Sequence, residues 1–103
     1  MAVMEISVIP LGTSSTSVSP FVADCVKVLE EEGLKYEVTP MGTQVEGDLE
    51  ALFEVARKMH EAPFRRGAFR VVTTLKIDDR RDKPLSLEGK RSAVLEKLTQ
   101  RRG

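Results

Sequence analysis

The order in which hydrophobic periodicity changes along this chain constrains its fold more than any single residue does. Residues 2–10 alternate, with Ala2, Met4, Ile6 and Val8 pointing one way and Val3, Glu5, Ser7 and Ile9 the other. That is the period of a strand with two different faces. Pro10 and Gly12 stop it, and a hydroxyl-rich loop from Thr13 to Ser17 follows. Ser19-Pro20 then reads as a helix start, an N-cap serine with proline at the first helical position. Val22, Cys25, Val26 and Leu29 fall at i, i+3, i+4 and i+7, one apolar stripe, and Gly33 is a natural C-terminal stop.

The period returns to two from Lys35 to Pro40, where Tyr36 and Val38 share one face and Glu37 and Thr39 the other. Met41-Gly42 reads as a hairpin turn, with glycine available for positive φ. Thr43 to Glu46 returns as a third strand, with Val45 toward the core and Gln44 and Glu46 away from it. Asp48 is a candidate N-cap for a second helix lined by Leu49, Leu52, Phe53, Ala56, Met59 and His60, with Pro63 near its end. Gly67 opens the longest strand, to Asp78, with Phe69, Val71, Thr73, Leu75 and Ile77 on one face and Arg70, Val72, Thr74 and Lys76 on the other. After the loop from Asp78 to Pro84, a last helix starts near Ser86 with Leu87, Val94, Leu95 and Leu98 as its apolar positions. The resulting order, β-α-β-β-α-β-α, is that of an α+β, ferredoxin-like βαββαβ sandwich with an extra C-terminal helix. Right-handed crossovers put the first two helices on one face of an antiparallel sheet, strands one and three in the middle and two and four at the edges. Residues 1–103 suffice for a single domain and not for two.

Function classes can be narrowed before any site is named. No apolar run approaches the ~20 residues of a membrane span, and Met1 to Glu5 lacks the basic start of a secretory signal. The expected location is therefore cytoplasmic, with no membrane partner. The single cysteine, Cys25, forms no internal disulfide and no metal-ligand pattern. On an apolar stripe, with no activating neighbour, it reads as a small buried hydrophobe. Charge is zero overall but uneven: residues 1–64 hold four basic against eleven acidic side chains, residues 65–103 twelve basic against five acidic. A neutral total, and Phe69 as the one aromatic of the basic half, disfavour nucleic acid. The halves are expected to interleave and neutralise each other, or to form complementary patches that guide assembly.

No Ser-His-Asp constellation, GxGxxG or phosphate loop is present, so a non-catalytic protein without cofactor or metal is expected. His60, beside Glu61, reads as a packed or capping residue rather than a base. The Asp78–Lys83 loop reads as a self-paired turn, with phosphate capture by Arg80 and Arg81 as the alternative. More informative is the sheet face that the first two helices leave open. Glu5, Ser7, Ile9, Glu37, Thr39, Gln44, Glu46, Arg70, Val72, Thr74 and Lys76 share it by strand parity. It is either a solvated surface with cross-strand pairs, or the floor of a subunit interface whose hydroxyls, amide and carboxylates suit a ligand bearing amino groups.

Several segments in order carry a resemblance. They are Ile9-Pro10-Leu11-Gly12-Thr13, the alternate serines 15, 17 and 19, Met41-Gly42-Thr43 with Glu46-Gly47-Asp48, His60-Glu61, and Arg70-Val71-Val72-Thr73 leading to Asp78-Asp79-Arg80-Arg81-Asp82. Together they resemble the small thiamine-binding protein family of archaea, bacteria and yeast. The resemblance implies a ferredoxin-like fold, assembly as a homotetramer (a dimer of dimers), and binding of thiamine or its hydroxymethylpyrimidine part at a subunit interface without catalysis. It makes Thr43 and Glu46 the carried-over site residues; Thr39, Gln44 and Ser7 join them by strand parity. A structural or regulatory homo-oligomer without a small ligand, or a binder of a phosphorylated metabolite, are the alternatives.

Overall fold

The structure, a computed structural model, describes residues 1–13, 19–83 and 86–102, with the side chains of 99–102 excepted. The loop serines 14, 15 and 17, and Pro84, lie outside the described residues. The elements run β1 (Ala2–Leu11), α1 (Ser19–Glu32), β2 (Lys35–Thr39), β3 (Gly42–Gly47), α2 (Leu49–Arg65), β4 (Arg70–Asp79) and α3 (Leu87–Arg102). The sheet has the order β2-β3-β1-β4 and every pair is antiparallel, so the ferredoxin-like arrangement holds with β1 and β3 central.

The alternation in β1 is what builds the core. Ala2, Met4 and Ile6 are buried against Cys25, Val28 and Leu29 of α1, against Leu52, Val55, Ala56, Met59 and Ala62 of α2, and against Val45 of β3. The expected stripes are rotated slightly. On α1 the buried arc is Cys25, Val28 and Leu29, with Val22 and Val26 at its half-buried margins. On α2, Val55 turns in and Phe53 turns out to solvent. Ala56 and Ala62 lie on the buried arc with Leu52, and small side chains let two helices approach closely.

Helix ends follow local chemistry. Gly33 takes φ of 70° while its N–H bonds to Glu30 and that of Leu34 bonds to Leu29, the left-handed ending that glycine permits. Ser86 caps α3 by accepting the Gly89 N–H at 2.9 Å. Asp48 has the extended backbone of an N-cap, but its side chain makes no capping bond. Two expectations about turns are corrected. The hairpin turn is Pro40-Met41, with Thr39 paired to Gly42, and Gly42 does not have positive φ. Proline at the first turn position presets a negative φ, which moves the turn one residue earlier. Gly42 is needed for space: a Cβ there would sit 3.2 Å from the Ile6 carbonyl oxygen. Similarly, β4 starts at Arg70, and Phe69 lies before it, 97% exposed.

Pro63 sits inside α2 rather than at its boundary. A helical proline lacks the N–H that residue i−4 would otherwise receive, which orphans the Met59 carbonyl. The Cys25 thiol replaces the missing donor, reaching the Met59 carbonyl oxygen at 3.5 Å. Burial, with a smaller contribution from Asp24, pushes that thiol up to about 11. Cys25 is therefore structural, as its sequence setting suggests, and its donor role is what the structure adds. Cys25→Ser should keep the bond, and Cys25→Val should lose about 1–3 kcal/mol of stability in urea melts, the cost of an unpaired buried acceptor. A thiol reagent at pH 8 should label the folded protein far more slowly than the unfolded one.

The charge asymmetry is bridged in part, by two ion pairs that join the halves. Arg66 of the basic half grips Asp24 at 2.6 and 2.9 Å, and Arg91 grips Glu37 at 2.5 and 2.6 Å. Arg80 pairs with Asp82 and Arg81 with Asp79, so the loop after β4 is self-paired. His60 is half-buried, its Nδ1 2.7 Å from the Thr73 hydroxyl and its ring edge-on to Phe64. It ties α2 to β4, a packing role.

Candidate functional site

Strand parity sorts the five sequence candidates onto two faces. Ser7, Thr39, Gln44 and Glu46 share the open-face parity, and Thr43, between Gly42 and Gln44, has that of Val45 on the helix side. Thr43 is opposite Ile6 in register, and Glu46 is opposite Val3. Thr43 and Glu46 therefore stand on opposite sides of one sheet. Within one protomer they cannot jointly hold one edge of a ligand.

A cavity of about 310 Å³ opens where the helices leave the sheet uncovered, between the end of β1, the β2–β3 turn and the first turns of α1. Ser7, Thr39 and Thr43 all line it, together with Val22, Cys25 and Met59. Three of the five candidates thus border it, Thr43 with helix-side parity and Ser7 and Thr39 with the parity of the other face. Sequence reasoning missed the helix contribution, because Cys25 and Met59 look like ordinary core positions on their stripes. The reason for the gap is visible at Val38: it points toward the helix side, as Tyr36 does, yet is half exposed because no helix reaches over it. Met41, at the tip of the turn, is 86% exposed beside it.

Hydrogen-bonding capacity in the cavity is limited. The Thr39 hydroxyl donates to the Gly42 carbonyl at 2.6 Å, and the Cys25 thiol to that of Met59. The Thr43 hydroxyl, on a residue 6% exposed, has no hydrogen bond to another described residue. Among the described cavity-lining side chains of helix-side parity, it is the one with donor and acceptor capacity to spare. The remaining walls are aliphatic or thioether, from Ile6, Val8, Val22, Val38 and Met59.

Gln44 and Glu46 lie elsewhere, beneath α3, which crosses the open face at the Val3 end of β1. Gln44 donates to Glu5 at 3.4 Å and lines a groove with Glu37, Lys76 and Asp78 below Leu87, Val94 and Leu95. Glu46 lines a neighbouring groove with Lys35, Tyr36 and Arg91. Lys90 pairs with Asp78 and Arg91 with Glu37, so α3 is tied to both edge strands. No described residues form a cluster of three or more His, Cys, Asp or Glu suited to a metal ion. No described helix is long and apolar enough to cross a membrane.

The sequence profile described as thiamine-binding protein matches residues 4–95, which spans both the cavity and the grooves under α3. This chain belongs to the thiamine-binding protein family. Relatives in the family include a UPF0045 protein of Bacillus subtilis, 49% identical over 98 residues, 91% of this chain and 94% of that protein. The fold matches the crystal structure of a hypothetical protein from Methanocaldococcus jannaschii, with a TM-score of 0.83 at 39% identity, covering 92% of this chain and 96% of that one. It also matches a Thermotoga maritima protein whose name provisionally places it in thiamine biosynthesis or salvage, with a TM-score of 0.74 at 25% identity, covering 90% and 97%.

Proposed function

We propose that this chain is a non-catalytic small-molecule binding protein whose ligand is thiamine or its hydroxymethylpyrimidine part, seated in the cavity between α1 and the β2–β3 turn. The observation that carries this reading is an apolar cavity to which Thr43 brings, from the helix side, a hydroxyl not bonded to another described residue. Family membership and the name of the Thermotoga relative supply the ligand class. The volume is at the lower end of the roughly 300–1,000 Å³ of small-molecule pockets, and the mix of apolar walls with few polar groups is typical of them. A methylated aminopyrimidine would place its ring against Val22 and Met59 and a polar edge at Thr43. Isothermal titration calorimetry should give a Kd on the order of micromolar for thiamine and for the free pyrimidine alcohol. No heat with thiamine, its phosphates or the pyrimidine would overturn the reading.

A specific observation favours self-association as a second property. Val94, Leu95 and Leu98 of α3 are about half exposed, as are Ile9 and Val72 on the open face. Exposed apolar groups gathered on one side mark an interaction surface. We assign it to other copies of this chain, in a homotetramer built as a dimer of dimers, with the Gln44 and Glu46 grooves on the covered side. The cavity mouth, flanked by exposed Val38 and Met41, would then lie near a subunit boundary. Sedimentation should show a tetramer for the wild type and smaller species for the paired substitution Val94→Glu with Leu98→Glu. A wild-type monomer at all concentrations would remove this reading and leave the cavity unaffected.

A further inference from the structure

We infer that the cavity admits only an uncharged ring, leaving any cationic or phosphate-bearing part of the ligand outside. It therefore does not discriminate thiamine from its phosphate esters. The inference rests on the proposed ligand class for its biological meaning, but its physical basis is the lining itself. Among the described residues, no Asp, Glu, Lys, Arg or His lines the cavity. Its ionisable group is the Cys25 thiol, which burial keeps protonated and which already donates to Met59.

Moving a charge into such surroundings without a counter-charge costs several kcal/mol, far more than one hydroxyl returns. The Thr39 hydroxyl is spent on Gly42, and Ser7 has the parity of the other face. That leaves the Thr43 hydroxyl and backbone edges, enough to orient a neutral heterocycle and too little to solvate an ion. Charge on this molecule is concentrated elsewhere. Glu5, Glu37, Lys76, Asp78, Lys90 and Arg91 all line the groove on the opposite sheet face. A volume of about 310 Å³ also limits what can enter.

The test is a methyl-labelled NMR titration of the full chain, read at the methyls of Met59 and Val22. Hydroxymethylpyrimidine, thiamine and thiamine diphosphate should move these signals with Kd values agreeing within about threefold, each changing less than about twofold between about 50 and 500 mM salt. Inorganic phosphate should not move them. A diphosphate ester binding more than about tenfold tighter than thiamine, or phosphate moving the same methyls, would overturn the inference while the thiamine reading stood. If none of the three pyrimidine compounds binds, the thiamine reading fails and a second pair decides the inference. Toluene, a neutral ring, should still enter where N-methylpyridinium, a ring of the same size that carries the charge itself, does not; entry of both, or of neither, would overturn it.

Discussion

Leu52→Ala should destabilise the fold by about 2–5 kcal/mol, a large part of the roughly 5–15 kcal/mol that holds a domain folded. Leu52 is fully buried in the first turns of α2. It lies against Gly47, where even an added Cβ would come 3.6 Å from a Leu52 methyl and 3.4 Å from one of Leu34. Leu52 and Leu34, the latter from the connection between α1 and β2, close over the end of β3. Truncating Leu52 removes that contact and leaves a void in the core. The neighbouring Phe53, larger but outward-facing, is the control: Phe53→Ala should change stability far less. Urea midpoints with unchanged slopes measure both. A Leu52→Ala loss below about 1 kcal/mol, or a larger loss at Phe53, would show that the core is not centred where the packing places it.

That comparison also shows what the sequence makes legible. The alternation of β1 and β4 and the stops at Gly12 and Gly33 are local, so the element order and the strand order can be read directly. Helix rotation is not local. Leu52 and Phe53 are both apolar, and which one turns in depends on α2 meeting α1 across Ala56 and Ala62. Pro63 misleads for the same reason. It reads as a terminus, yet a thiol on another helix supplies the donor that the proline removes. In the Pro40-Met41 turn the ring of proline outweighs the glycine that follows it.

The site was legible to a similar depth. Parity already separates Thr43 from Gln44 and Glu46, because Val45 faces the core and residues two apart share a face. What parity does not give is which side holds a cavity. The open face offered more hydroxyls and carboxylates, but α3 crosses it and its charges pair with one another. The helix side offered ordinary core residues, and the cavity lies between the first turns of α1 and the β2–β3 turn, beside half-exposed Val38. That position is set by where each helix begins on the sheet, which no local pattern encodes.

Thr43→Val should weaken binding of thiamine or its pyrimidine about tenfold while leaving the fold at least as stable. The substitution keeps the branched shape of the side chain and exchanges a hydroxyl for a methyl. In the free protein that hydroxyl bonds to no other described residue, so its removal orphans no partner among them. In the complex the polar edge of the ligand would face a methyl group. An unpaired group in an apolar cavity costs about 1–3 kcal/mol, and 1.4 kcal/mol is about a factor of ten in Kd. Glu46→Ala is the matched control, because Glu46 stands on the far side of the sheet. It should leave affinity within about twofold. Calorimetry on the two variants separates the faces. A tenfold loss in Glu46→Ala with none in Thr43→Val would move the ligand to the open face beneath α3. Equal losses in both would require a site that two protomers complete, the helix side of one meeting the open face of the other.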